Sequence, residues 1–502
     1  MGQLCVPPRA DVPGGYCVAA CDNTPCPSDA TCVANQGGGK FCLLTCTSAN
    51  DCRMGYDCAS DGLVSVCAPM AMGPVDPPIG TKPGGVACTS PEVTAPGAGP
   101  RTFGANVGPI SQHTGGVAEA GVVTAVSGGE VFVAFNDLSS GLTGMATSHD
   151  GGATFKYLGD VPATTLGAAE PTVAVDAAGT VYVAWLGYDV VGMAPSNMSV
   201  FVVKTADHGV TFSDVVAASD PDDYIEGQSF LDRPWIAVSA DGVVYVSYTV
   251  VNQISGRSEL RMTRSRDKAV TFAKPSILLN RQVRPGGQSL TQQVVDAAGN
   301  VHAVWVEVVS AGDEFGAVEN GVYYARLPAG ADTATTDVKV SGATDSVVYE
   351  GPTIAVSGSG VFVGYVVGTP AGAWDVKVAA SADGGSTFKA GVTVNDDGAA
   401  CATHVHQQIA VDDGGGLHLA WFDNRYKTGN VMYARSSDKG VTWSKNEFVN
   451  TQGFEFSTAS SKANWLGDHL SLTTSGKTIH CAWTDPRRQN VSHIYFAKGT
   501  LP

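Results

Sequence analysis

Beyond residue 100 the apolar positions arrive in short alternating runs. The clearest is Pro171-Thr172-Val173-Ala174-Val175-Asp176, followed across a glycine turn by Gly179-Thr180-Val181-Tyr182-Val183-Ala184-Trp185. Period-two alternation in Val, Thr and aromatic residues predicts β-strands rather than helices. The same unit recurs seven times, its second strand ending on Phe135, Trp185, Tyr248, Trp305, Tyr365, Trp421 and Trp483, at spacings of 50 to 63 residues. That spacing is the length of a four-stranded blade with its loops. One such unit cannot bury its apolar face alone, so the units are expected to stack around an axis and close. The fold class read here is all-β, a seven-bladed β-propeller over residues 101–502. The last unit supplies only three strands after Trp465, so a segment near Thr102 to Val107 is expected to complete its sheet.

The first 100 residues follow different rules. Ten of the thirteen cysteines (Cys5, Cys17, Cys21, Cys26, Cys32, Cys42, Cys46, Cys52, Cys58 and Cys67) fall within residues 1–68. So little large apolar surface accompanies them that cross-linking must replace burial, which implies an oxidising compartment. Zinc is the rival reading, but C-x3-C, C-x4-C and C-x5-C spacings lack the C-x2-C knuckles of tetrahedral sites. Tyr16-Cys17 and Phe41-Cys42 each open a similar unit, so the segment reads as two tandem modules. Residues 69–100, dominated by Pro and Gly, read as a linker. Of the remaining cysteines, Cys481 sits on an apolar strand face and is expected to be a buried free thiol. Cys88 and Cys401 are left as a candidate tether. The stretch Met1-Gly2-Gln3-Leu4 is too short to be a signal peptide, so the chain reads as a mature form.

Charge and hydropathy narrow the function classes. With 30 Lys plus Arg against 47 Asp plus Glu, the formal charge is −17, which leaves no basic surface to track phosphates, and nucleic acid is not expected as a partner. No apolar run reaches the roughly 18 residues of a spanning helix. The chain also lacks a G-x-S-x-G elbow, a phosphate-binding glycine loop before a lysine, and an H-E-x-x-H pair.

A second signature lies late in five of the seven units. Ser148-His149-Asp150-Gly151-Gly152-Ala153-Thr154-Phe155 fits S-x-D-x-G-x-T-W/F, as do Thr205 to Phe212, Ser265 to Phe272 (with Ala269 in place of glycine), Ser381 to Phe388 and Ser436 to Trp443. In such a turn the Asp side chain can cap backbone N–H groups, and the aromatic ring can anchor the hairpin between blades. On these five segments the chain resembles the Asp-box propellers of the sialidase superfamily, over about residues 102 to 500. The cysteine-rich modules are similar to EGF-like modules of secreted bacterial proteins. The superfamily usually has six blades, which leaves a six-bladed ring as the alternative.

Propeller connectivity puts residues before each first strand and after each second strand on one face, with the Asp-box turns opposite. The first group comprises Glu119, Glu170, Asp232 with Arg233, Glu350, His404 with His406, and Asp468 with His469. The second comprises Asp137, Asp189, Glu307, Asp423 with Arg425, and Asp485 with Arg487. Trp421 to Arg425 and Trp483 to Arg487 repeat a W-x-D-x-R pattern. Arg233, Arg425 and Arg487 could offer bidentate forks to a sugar carboxylate, with Asp423 and Asp485 beside two of them. The alternative is that each Asp and Arg pair simply holds its own loop.

The resemblance implies an arginine triad, a Tyr nucleophile beside a Glu, and an Asp as acid/base. The corresponding residue types here are Tyr426, Glu350 or Glu170, and Asp232. No arginine lies between Arg101 and Arg233, where the family's first-blade arginine would stand. Asp220, Asp222, Asp223 and Glu226 could supply hard oxygen ligands to calcium, or form a solvated loop. His404 and His406, two apart on an extended segment, could bind zinc or a transition metal.

These features lead to a secreted or cell-surface propeller that engages a glycan or other anionic ligand, or a surface protein, on its loop face, with no cofactor required beyond the candidate calcium. The alternative is a sialidase-like exo-glycosidase acting on terminal acidic sugars.

Overall fold

The computed structural model describes residues 102–110 and 119–501, apart from 192–193, 254–256, 283–286, 311–316, 349, 370–371, 398–401, 457–464 and 489–490. Ahead of these it describes the backbone of three short hairpins, Gln3–Val6 with Tyr16–Ala19, Ala30–Ala34 with Lys40–Leu44, and Tyr56–Ser60 with Ser65–Pro69. The proposed tether from Cys88 to Cys401 lies outside the described residues.

Seven antiparallel sheets follow one another along the chain. Blades 1 to 6 span 119–160, 167–217, 229–278, 287–339, 346–393 and 404–448. Blade 7 takes three strands from 471–500 and a fourth, Phe103–Val107, from the start of the ring. The fold is therefore a seven-bladed β-propeller, and the six-bladed alternative is set aside. Among the described residues the only helical turn is Pro221–Asp223.

The alternation seen in the sequence has a structural cause. Along the second strand of blade 2, Val181, Val183 and Trp185 pack against Val123, Phe132 and Ala134 of blade 1. The intervening Tyr182, Ala184 and Leu186 pack against Ile236, Val246 and Tyr248 of blade 3. A blade is thus buried on both faces, and both parities of the strand must be apolar. All seven aromatic markers, Phe135, Trp185, Tyr248, Trp305, Tyr365, Trp421 and Trp483, have no exposed surface. Burying a large apolar side chain contributes roughly 1.5–3 kcal/mol. Cys481 is likewise buried and free, and burial pushes its thiol far above the ordinary range.

The five S/T-x-D segments share one turn. Asp150 accepts the Thr154 backbone N–H at 2.8 Å and its hydroxyl at 2.6 Å, while Ser148 Oγ accepts from Gly152 N at 2.8 Å. The pattern repeats at Asp207, Asp267, Asp383 and Asp438. These bonds hold the carboxylates below their usual range, to about 2 at Asp207, Asp383 and Asp438. The aromatic residue closing the first turn, Phe155, sits edge-on to Phe496 of blade 7 with centroids 5.0 Å apart.

Ring closure joins the two ends of the propeller. Phe103, Asn106 and Val107 lie opposite Gly499, Ala497 and Phe496, so the last sheet is completed by the first strand. A Cβ at Gly499 would fall 2.5 Å from Ile479 Cγ2, so only glycine admits the closing strand. Phe103, 3% exposed, meets Tyr433 edge-on at 5.1 Å, and Asn106 Nδ2 donates to Val449 O at 3.0 Å. The closing strand therefore also grips blade 6. Phe103→Ala is expected to cost about 3–5 kcal/mol. A guanidinium melt should show a clearly lower midpoint, and an unchanged midpoint would mean that the closing strand carries little of the ring's stability.

Candidate functional site at the ring axis

The first strands of neighbouring blades contact one another around the ring, including blade 7 against blade 1. Each first strand has no sheet partner on its axial side, and in blades 1 to 6 the ladder is interrupted near its start. Register shifts fall between Ala169 and Thr172, Asp232 and Trp235, and Val405 and Gln408, as expected of β-bulges. Glu170, Arg233 and His406 occupy these bulges with φ of 55°, 51° and 54°. Holding a non-glycine residue there costs on the order of 1–3 kcal/mol, and strain of this kind clusters at functional sites.

The compensation comes from the neighbouring blade. Glu170 N donates to Asn136 Oδ1 at 2.9 Å, Arg233 N to Glu170 Oε2 at 2.7 Å, and His406 N to Glu350 Oε2 at 3.3 Å. Polar side chains on one blade thereby satisfy backbone donors that the next blade's bulge has taken out of its ladder. In blade 1 the bulge residue is Gly121, whose Cβ would come within 3.0 Å of Asn136 Nδ2.

The bulges and the residues beside them line an open hollow with walls from blades 2 to 7. Arg233 sits between two carboxylates, with Nε 3.0 Å from Glu170 and an Nη 3.1 Å from Asp468. Across the hollow, His406 Nδ1 lies 3.1 Å from Glu350. Gln292 Oε1 accepts from Thr353 Oγ1 and Ile354 N, and its amide nitrogen donates to Gln408 at 3.0 Å. Trp235 is half-buried in the same wall, edge-on to His469 at 6.1 Å.

Burial decides the protonation states. It raises Glu170 despite the attraction of Arg233, and together with the charge on Glu170 it raises Asp232 well above its ordinary value. Burial also works against ionisation of Asp468, but Arg233 and the nearby histidines hold that carboxyl below its usual value. His469 is pushed down to about 4 by burial, against the pull of Asp468. The wall therefore presents a shared guanidinium and, at neutral pH, a neutral imidazole, with burial favouring the protonated form of the Asp232 carboxyl beside Glu170.

The residues singled out from sequence separate into distinct places. Glu350 and Arg233 line the hollow, whereas Asp232 does not line it and interacts with Glu170 beside it. Arg425, Arg487 and Tyr426 do not line it. In the first W-x-D-x-R, Asp423 accepts from Trp421 Nε1 at 3.0 Å, from the Arg425 backbone at 2.9 Å and from Arg425 Nε at 2.9 and 3.0 Å. The remaining Arg425 nitrogens reach Asp396 at 2.7 Å and Asn446 at 3.0 Å. The second copy repeats the arrangement, with Asp485 accepting from Trp483 Nε1 and Arg487 N, each at 2.9 Å, and ion-paired to the Arg487 guanidinium, which lies 4.5 Å over the Tyr495 ring. A buried indole N–H needs an acceptor and a buried carboxylate needs cations, and the motif satisfies both. Tyr426 packs on Phe448 at 5.2 Å.

His404 and His406 do not converge. The bulge between them breaks the alternation, sending His406 to Glu350 while His404 donates to Trp374 O and lies 3.3 and 3.2 Å from Asp397 and Asp423. In the acidic loop, Asp220 accepts from Asp222 N and Ser276 N, Asp223 from Tyr248 OH, and Glu226 from Tyr224 OH. Among the described residues, these four do not bring three ligand oxygens within 4.8 Å of one another.

Trp235, Gln292 and Gln408 were not picked out from sequence as site residues. Each is the first paired residue after a bulge, and the available signal was a polar or bulky side chain at that offset in successive units.

Two outcomes follow from the Asp423 cluster. Asp423→Asn leaves Arg425 and His404 short of their buried partner, and should cost about 3–5 kcal/mol in chemical denaturation. A loss within error of zero would mean that the buried charges find other partners. Burial opposes protonation of His404, but Asp423 and Asp397 overcome it and raise its pKa from 6.5 to about 10. Its stabilising contribution is therefore complete below pH 6.5 and is lost as pH rises toward 10. Between pH 7 and about 8.5, below the ordinary thiol pKa, the melting temperature should fall with pH in the native chain and stay level in His404→Gln. Equal slopes would contradict the assignment.

No protein-family profile matches the sequence, and no curated protein does. Among solved structures, a polysaccharide lyase of family PL25, an ulvan lyase, is similar at 10% identity and a TM-score of 0.52, covering 76% of this chain and 93% of its own. The polysaccharide lyase Uly1 is similar at 10% identity and 0.50, covering 76% and 90%. The Hadza microbial sialidase Hz136 is similar at 14% identity and 0.45, covering 74% and 76%. At these identities the likeness is one of fold.

Proposed function

We propose that the ring binds a glycan end-on in the axial hollow. The observation that carries this reading is the convergence, from six blades, of an indole face with hydrogen-bonding groups of several kinds. Trp235 offers a stacking surface for a sugar ring. Glu350 and Asp468 accept from hydroxyls, while Gln292, Gln407 and Gln408 serve as donors or acceptors. Arg233 already has two carboxylate partners, so an acidic sugar must compete with Glu170 or Asp468 for it. A ligand read mainly through its hydroxyls fits the wall better than one read through a carboxylate. Arg425 and Arg487 act here as positioning residues for the surrounding loops. The cysteine-rich segment fits a secreted or surface location, and no helix among the described residues is long and apolar enough to cross a membrane.

One feature favours a second reading, exo-glycoside hydrolysis. Burial and the neighbouring Glu170 raise the Asp232 carboxyl, which suits it to supply a proton to the hollow through Glu170, with Glu350 as the opposing carboxylate.

Glycan-array binding with the full chain tests the first reading, and fluorogenic sialosides and other exo-glycosides test the second. Trp235→Ala should weaken saccharide binding about tenfold or more, a loss of about 1.4 kcal/mol, with the melting temperature nearly unchanged. Arg425→Ala should lower stability and leave the affinity of the folded fraction intact. Absence of any saccharide binding, or binding indifferent to Trp235→Ala, would overturn the axial assignment. Turnover lost in Asp232→Asn would establish the hydrolytic version.

A further inference from the structure

At the other end of the ring the variable positions of two S/T-x-D turns bring together a different chemistry. His149 follows the serine of the first turn, and His208 follows the aspartate of the second. The corresponding positions of the other turns hold no histidine. Packing of blade 2 on blade 1 places both rings at Glu130, the first residue of a blade 1 strand. His149 Nδ1 lies 2.8 Å from Oε1 and His208 Nδ1 2.6 Å from Oε2, and the ring centroids are 5.4 Å apart and nearly perpendicular.

We infer that Glu130, His149 and His208 form a binding site for a divalent transition-metal ion of the zinc class, joining blades 1 and 2 on the face opposite the axial hollow. One ligand atom from each residue lies within 4.8 Å of the others. Contraction onto a common ion requires side-chain adjustment only, since zinc takes imidazole nitrogen at about 2.0–2.1 Å and carboxylate oxygen at about 2.0–2.2 Å.

The backbone of both turns is already fixed. Asp150 and Asp207 each accept a backbone N–H and a threonine hydroxyl four residues on, so the histidines project from rigid hairpins. At 52% and 49% exposure for the histidines and 25% for the glutamate, the solvent side remains open for water to complete the coordination shell. In the metal-free form both Nδ1 atoms face the carboxylate, which suits imidazoles protonated on that nitrogen. Metal binding at Nδ1 requires the ring proton to sit on Nε2.

Two imidazoles with one carboxylate select borderline ions over calcium or magnesium, which prefer all-oxygen shells. The excess of 17 negative charges favours any cation, so selectivity rather than binding alone is the informative property. A zinc ion here would tie adjacent blades, and binding to the folded form alone raises the melting temperature by mass action.

The test is calorimetric titration of the full, oxidised chain with zinc chloride after chelator treatment and dialysis, repeated in excess calcium. One zinc per chain is expected at this site, unaffected by calcium and accompanied by a higher melting temperature. His149→Ala and His208→Ala should each weaken zinc binding about tenfold or more. Both are surface changes, so metal-free melting temperatures matching the parent would show that the variants fold. Failure of the parent to bind zinc, displacement by calcium, or undiminished binding in the His149→Ala/His208→Ala double variant would overturn the assignment.

Discussion

A first strand that faces the axis of a closed ring is an edge strand, and its backbone donors must find partners outside its own sheet. Much of this molecule's organisation follows from that constraint. Where the ladder is broken by a bulge, a side chain from the preceding blade takes the stranded N–H, as Asn136, Glu170 and Glu350 do for Glu170, Arg233 and His406. The groups that hold the ring together at its centre are therefore the same polar groups that face the hollow. Closure by Phe103–Val107 makes this possible, because neighbouring first strands keep their mutual register only if the circle is complete.

The dual use of these residues shapes the electrostatics. Four acidic groups, Glu170, Asp232, Glu350 and Asp468, lie at or just behind the mouth with one guanidinium among them. Burial and mutual repulsion raise both Asp232 and Glu170, while burial keeps His469 neutral beside Asp468. The outer rim behaves differently. There Asp423 and Asp485 each have an arginine partner and close compact rings with a tryptophan and that arginine that leave little for a ligand.

Much of the fold was legible in the sequence. The alternating strands and their aromatic ends are direct consequences of burial on both blade faces, so Trp185 and Trp421 could be read as markers before any coordinates. Even the closing strand was legible, as a missing fourth strand in the last unit. The site was only half legible. Pattern alone could place Arg233, Arg425 and Arg487 on one face, yet it could not reveal that two of them are engaged within their own loops, because an Asp and Arg pair reads the same whether it binds a partner or itself. The bulges were hidden for a physical reason. One inserted residue in the left-handed region leaves the composition of a strand unchanged while turning His404 and His406 to different partners. Contacts between blades, such as Glu130 with His208, depend on packing geometry that no local spacing encodes.

On the proposed reading a ligand sits in the axial polar ring and not at the outer rim. A crystal structure of the chain with a bound saccharide tests it most directly. A sugar ring is expected against Trp235, with hydroxyls in hydrogen-bond reach of Glu350 and Gln408. Saccharide density confined to the rim beside Arg425 or Arg487, with the axial hollow unchanged, would contradict it.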